Sequence, residues 1–75
     1  MIKIRVGNNA RTEEHIIDPA LTPKDVLEQA GISFATSGVS LNGAILNATE
    51  MGTPLRDLRA DNGSFLVAIT KTNNN

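Results

Sequence analysis

Polar and apolar residues alternate strictly from Met1 to Val6, with Ile2, Ile4 and Val6 on one side and Lys3 and Arg5 on the other. A period of two predicts a strand with one buried and one wet face. Gly7-Asn8-Asn9-Ala10 tolerates positive φ and predicts a turn. Ile16-Ile17, preceded by Glu13-Glu14-His15, predicts a second strand over about Thr12 to Asp18, paired antiparallel to the first. Its acidic side would face Lys3 and Arg5, at about 0.2–1 kcal/mol per opposite-charge pair. Asp18-Pro19 ends that strand, because proline cannot donate to a ladder.

The spacing then changes to that of a helix. Thr22 is a good N-cap, Pro23 suits the first helical position, and Asp25 completes a short-armed capping box. Val26, Leu27 and Ala30 share one face, and Gly31 stops a helix of about ten residues, too short to stand without packing on a sheet. Residues 32–38 connect it to a short strand, Val39-Ser40-Leu41. Asn42-Gly43 is a strong hairpin signal, and Ala44-Ile45-Leu46 returns from it. Asn47 to Pro54 reads as turn-rich, and Pro54 to Leu58 as one helical turn that pins Leu55 and Leu58. The longest apolar run, Ser64 to Lys71, follows the turn Asn62-Gly63. It is apolar on both parities and rich in β-branched residues, which predicts a strand inside the sheet rather than at its edge.

One helix over one face of a mixed sheet of four to five strands is a two-layer α+β architecture, with the first and last strands parallel and adjacent at its centre. Seventy-five residues suit a single domain, here 1–72, with 73–75 as a disordered tail. The hydrophobic fraction of 40% is enough for a core of Ile, Leu, Val and Ala, which must hold without help because cysteine is absent. That absence also fits a reducing cytoplasm. The chain shows no signal-peptide core and no apolar stretch of membrane-helix length. A net charge of -1 with scattered basic residues, and only two aromatic residues, argues against nucleic acid.

No catalytic constellation emerges. His15 is the single histidine and has no partners at metal-ligand spacing, so neither a metal nor another cofactor is expected. Ser33, Ser37, Ser40 and Ser64 lack triad context, and Glu13-Glu14 reads as a solvated flank. No glycine-rich loop precedes the Thr22 helix.

The ordered elements resemble the ubiquitin-like β-grasp family, across residues 1 to 72. The resemblance is carried by Met1-Ile2-Lys3-Ile4-Arg5-Val6, Ile17-Asp18-Pro19, the capped helix from Thr22 with Val26 inward, Val39-Ser40-Leu41-Asn42-Gly43 with Leu46, Leu55-Arg56-Asp57-Leu58, and Asn62 to Ile69. Within that family the chain looks most like small prokaryotic ubiquitin-like proteins and bacterial sulfur carriers for thiamine and molybdopterin. Those carriers and ubiquitin act through a flexible tail ending in Gly-Gly, whose carboxylate is adenylated. This sequence ends Thr70-Lys71-Thr72-Asn73-Asn74-Asn75, with no glycine after Gly63, so tail activation is not expected and noncovalent binding is.

Two readings of the closing strand compete. By bulk, Phe65, Val67 and Ile69 face the helix; the resemblance implies the reverse, with Leu66 and Ala68 inward. In the second reading Val67 and Ile69, with Phe65, lie on an open sheet face near Ser40, Lys3, Arg5 and Lys71, as a protein-binding surface. The expected role is then a noncovalent interaction module, monomeric or weakly dimeric. The alternative is a carrier or modifier in a sulfur-transfer or conjugation pathway, partnered by an activating-enzyme-like or isopeptidase-like protein.

Overall fold

The structure is a computed structural model that describes residues 1–8, 10–34 and 38–69. Expectations placed on Asn9, on residues 35–37, on the strand end at Thr70-Lys71 and on the tail 73–75 lie outside the described residues.

Strands β1 (Ile2–Asn8) and β2 (Thr12–Ile17) form an antiparallel hairpin, followed by helix α1 (Pro23–Gln29). A second antiparallel hairpin joins β3 (Gly38–Leu41) to β4 (Ala44–Ile45), followed by a short helix α2 (Ala48–Met51) and the closing strand β5 (Phe65–Ile69). The sheet order is β2-β1-β5-β3-β4. The closing strand is therefore central, parallel to β1 and antiparallel to β3.

The core lies between α1 and one face of this sheet. Ile4 and Val6 of β1, Ile17 of β2, Val39 and Leu41 of β3, and Leu66 and Ala68 of β5 meet Val26 and Leu27 of α1, with Leu55 and Ala60 closing one side. Leu55 is held there by its chain as well as its side chain. Its N–H donates to Leu21 O at 2.9 Å and that of Arg56 to Pro19 O at 2.9 Å, tying the 54–60 turn to the segment before α1.

Local chemistry sets the element ends. The Thr22–Asp25 capping box is present, with the Asp25 N–H donating to Thr22 Oγ1 at 3.1 Å and the Thr22 N–H to Asp25 Oδ2 at 3.2 Å. The helix is seven residues rather than about ten, because the Gly31 N–H turns to Glu28 O and the Ile32 N–H to Leu27 O around Gly31 at φ +74°. That pair of bonds is a Schellman stop, which uses left-handed glycine to satisfy the last carbonyls. The same pair recurs after the 54–58 turn, where the Arg59 N–H donates to Arg56 O and the Ala60 N–H to Leu55 O. There the left-handed position, φ +64°, is held by Arg59.

Three sequence expectations need correction. β1 continues through Gly7 and Asn8 instead of turning at Gly7, because these residues pair with Val67 and Ala68 of β5. The region read as turn-rich contains α2, started by an Asn47–Glu50 capping box. Glu13 and Glu14 do not share a side facing Lys3 and Arg5. Glu14 lies opposite Arg5, Glu13 lies opposite Val6 on the helix side, and Lys3 lies opposite Ile16.

Candidate functional site

The face of the sheet away from α1 is built by alternation. On β5, Leu66 and Ala68 are fully buried, whereas Phe65 is 44% and Ile69 37% exposed and Val67 is half-buried. The reading by bulk, which put Phe65, Val67 and Ile69 in the core, is thus overturned. Val6 pairs with Leu66 and both point inward, so register with β1 decides the matter, not side-chain size.

Register also places the neighbours. One row across the sheet runs Thr12, Gly7, Val67, Ser40, Ile45. A second runs Glu14, Arg5, Phe65, and Ile69 lies opposite Gly38. Gly7 and Ser40 are both buried and small, so Val67 has a low floor on either side. Gly7 can be nothing larger without movement: a Cβ there would stand 2.2 Å from Arg11 O and 2.6 Å from the Thr12 Cα. Ser40 is only 7% exposed and contributes shape rather than contact area.

Of the sequence-predicted site residues, Phe65, Val67, Ile69, Ser40, Lys3 and Arg5 share this face, and Lys71 lies outside the described residues. Two residues were missed. Ile45, 63% exposed, flanks Ser40 on the same face, and Ile16, 67% exposed, sits beyond Lys3. Both were readable only through register: Ile17 pairs with Ile2 on the helix side, which sends Ile16 outward, and Ile45 pairs with the outward Ser40.

The two cations differ in how they are held. The Arg5 guanidinium donates from Nε to Thr12 Oγ1 at 3.1 Å and from Nη2 to Thr12 O at 3.3 Å, and lies 3.9 Å from Glu14 Oε2. These bonds tie its guanidinium to β2. The Lys3 ammonium enters no ion pair among the described residues. Its backbone instead anchors the turn before β5, its N–H donating to Asn62 Oδ1 at 2.8 Å and its O accepting from the Gly63 N–H at 2.9 Å. Between these groups lies a shallow cleft of about 410 Å³ bounded by Lys3, Arg5, Glu14, Asn62 and Gly63.

At its β3–β4 end the face is fastened by Asn42. Asn42 and Gly43 both have positive φ, +54° and +86°, as a tight two-residue hairpin turn requires. The Asn42 side chain then reaches β5. Oδ1 accepts the Phe65 N–H at 3.0 Å and Nδ2 donates to Ser64 Oγ at 3.2 Å, while the Asn42 N–H donates to Phe65 O at 2.9 Å. Ser64 Oγ in turn accepts the Asp61 N–H at 3.0 Å, so one buried hydroxyl joins two turns. Among the described residues no three His, Cys, Asp or Glu side chains gather as a metal site.

No protein-family model matches the chain, and no curated protein matches it. Solved structures do. The ubiquitin of Caldiarchaeum subterraneum superposes with a TM-score of 0.66 at 21% identity, covering 99% of this chain and 98% of that one. A second structure, described as a ubiquitin-like protein from the same hyperthermophilic archaeon, gives a TM-score of 0.56 at 22% identity, covering 97% and 100%. The match extends over both chains almost entirely, and the chain, a five-strand mixed sheet with α1 packed on one face, has the ubiquitin-like β-grasp fold.

Proposed function

We propose that this chain is a noncovalent protein-interaction module, folded over residues 1–72, that binds another protein through the open sheet face. Phe65, Val67 and Ile69 form the apolar centre, Ile45 extends it, and Lys3 and Arg5 edge it. One observation carries the reading: the most central strand turns three large apolar side chains away from the core, onto a face that α1 does not cover. Contiguous exposed apolar surface edged by charge is the usual composition of a protein-binding patch.

The test is Ile69→Asp. The variant keeps the far-UV circular dichroism and melting temperature of the parent to within a few degrees and loses cross-linking to proteins that the parent captures. Collapse of the circular dichroism signal would make Ile69 a core residue and remove the patch. A carrier or modifier role is favoured by one observation of its own, the end-to-end fold likeness to a protein named as ubiquitin. Incubation with an adenylating enzyme and ATP, followed by intact mass, separates the two: a C-terminal adenylate or thioester would replace the noncovalent reading. Among the described residues no helix is long and apolar enough to cross a membrane. The reading is of a cytoplasmic protein.

A further inference from the structure

We infer that Asn42-Gly43 is a site of spontaneous covalent modification in the folded chain, where the asparagine amide converts to aspartate and isoaspartate and loosens the β3–β4 hairpin from β5. The inference does not depend on what the open face binds.

Asn-Gly occurs twice, at Asn42-Gly43 and Asn62-Gly63. Glycine lacks a Cβ, so its backbone nitrogen can close on the preceding side chain with little steric hindrance. In that reaction the nitrogen gives its proton to solvent hydroxide and bonds to the asparagine Cγ. The Cγ–Nδ2 bond breaks, and the side-chain nitrogen takes a proton from water and leaves as ammonia. Water then opens the cyclic imide at either carbonyl, giving aspartate or, with one more methylene in the main chain, isoaspartate. No other reactant is needed. Both asparagines are followed by glycine, so the contacts around them decide which one reacts in the native protein.

The fold restrains the two pairs differently. At Asn62 both reacting groups are held by Lys3, whose N–H donates to Asn62 Oδ1 at 2.8 Å and whose O accepts the Gly63 N–H at 2.9 Å. The attacking nitrogen is therefore occupied. Freeing it means lifting main chain off β1, where the next residue is also tied, the Arg5 N–H donating to Ser64 O at 2.9 Å. At Asn42 only the side chain is held, by the Phe65 N–H at 3.0 Å and Ser64 Oγ at 3.2 Å. The Gly43 N–H makes no backbone hydrogen bond among the described residues, and nothing beyond its two chain neighbours lies within 4 Å of a Cβ placed on Gly43. A swing of one exposed side chain readies the reaction, while the Asn42 N–H keeps its bond to Phe65 O at 2.9 Å. Losing the two side-chain bonds costs about tenfold in the fraction of molecules able to react. The product cannot restore the bridge. Aspartate has no N–H for Ser64 Oγ, which already accepts the Asp61 N–H at 3.0 Å and donates to Asp61 Oδ1 at 3.3 Å, so a second carboxylate there is repelled by the first. Isoaspartate lengthens a two-residue turn and disturbs the Leu41–Ala44 pairing.

The test is ageing of the intact chain in mildly alkaline buffer, natively and in parallel in urea, with each asparagine followed by peptide mass spectrometry. In urea Asn42 and Asn62 convert at similar rates. In the native protein Asn42 converts about tenfold more slowly than in urea, and Asn62 is slower again by about fivefold or more, the cost of one further backbone bond. Chains modified at Asn42, separated from the parent by anion exchange, have a folding equilibrium constant lower by about fivefold or more. Native Asn62 converting as fast as Asn42, or both sites inert until the chain is unfolded, would overturn the site. Modified chains that keep the urea midpoint of the parent would overturn the loosening of the hairpin.

Discussion

Asn42 is asked to do two separable things: hold a left-handed backbone angle and bridge the β3–β4 turn to β5. Asn42→Gly keeps the first and removes the second. Two side-chain hydrogen bonds are lost, to the Phe65 N–H at 3.0 Å and Ser64 Oγ at 3.2 Å. The Phe65 amide is exposed and water replaces its partner, worth about 0.5 kcal/mol, whereas the part-buried Ser64 bond is worth about 1 kcal/mol. Glycine adds about 0.5 kcal/mol of unfolded-state entropy, which relief of the φ +54° angle roughly offsets. The expected loss is about 1.5 kcal/mol, or about 6–12 °C in melting temperature for a chain of this size. Asn42→Ala loses the same bonds and also places a Cβ in the left-handed region, for about 1 kcal/mol more. Far-UV circular dichroism through urea and thermal melts is the assay, since the chain has neither Trp nor Tyr. An Asn42→Gly variant as stable as the parent would show that the bridge to β5 contributes nothing. An Asn42→Ala variant no worse than Asn42→Gly would show that the turn does not need its left-handed angle.

Other perturbations probe the remaining joints. Arg59→Gly is expected to stabilise by about 1 kcal/mol, because the stop after the 54–58 turn uses a left-handed residue that glycine adopts without strain. Gly31→Ala, at the equivalent position after α1, costs about 1–2 kcal/mol on conformational grounds alone, as nothing beyond its two chain neighbours lies within 4 Å of the added methyl; both shift the urea midpoint without changing the slope. Gly7→Ala drives a Cβ into the backbone of Arg11 and Thr12 and costs about 1–3 kcal/mol, with amide exchange quickening first in the β1–β2 hairpin. Leu66→Ala costs about 2–5 kcal/mol and Ile69→Ala less than about 1.5 kcal/mol in the same melts; equal losses would contradict the assigned face of β5.

Much of the fold is written in short-range patterns, and where it is not, the reason is a contact made across the chain. The alternation of Ile2 to Val6, the Thr22-Pro23-Asp25 helix start and Asn42-Gly43 are local signals, and each element appears where its signal stands. The inward parity of β5 is different in kind. Phe65, Val67 and Ile69 outweigh Leu66 and Ala68, yet pairing with Val6 sends the smaller set to the core. Gly7 and Asn8 have turn-forming chemistry that strand pairing with β5 overrides. α2 is too short for helical periodicity to show, although its Asn47–Glu50 cap was there to be read. Ile16 and Ile45 joined the candidate surface only once strand register gave each a side.

The position of β5 has a consequence for biosynthesis. Among the described residues the β1–β2 and β3–β4 hairpins share no ladder with one another; each meets the sheet only through β5, which follows both along the chain. A nascent polypeptide halted before Phe65 can form two detached ribbons and a helix whose supporting sheet still lacks its centre. Assembly must wait until β5 clears the ribosome and wedges between them, so the polypeptide acquires its sheet in one late event rather than growing it strand by strand.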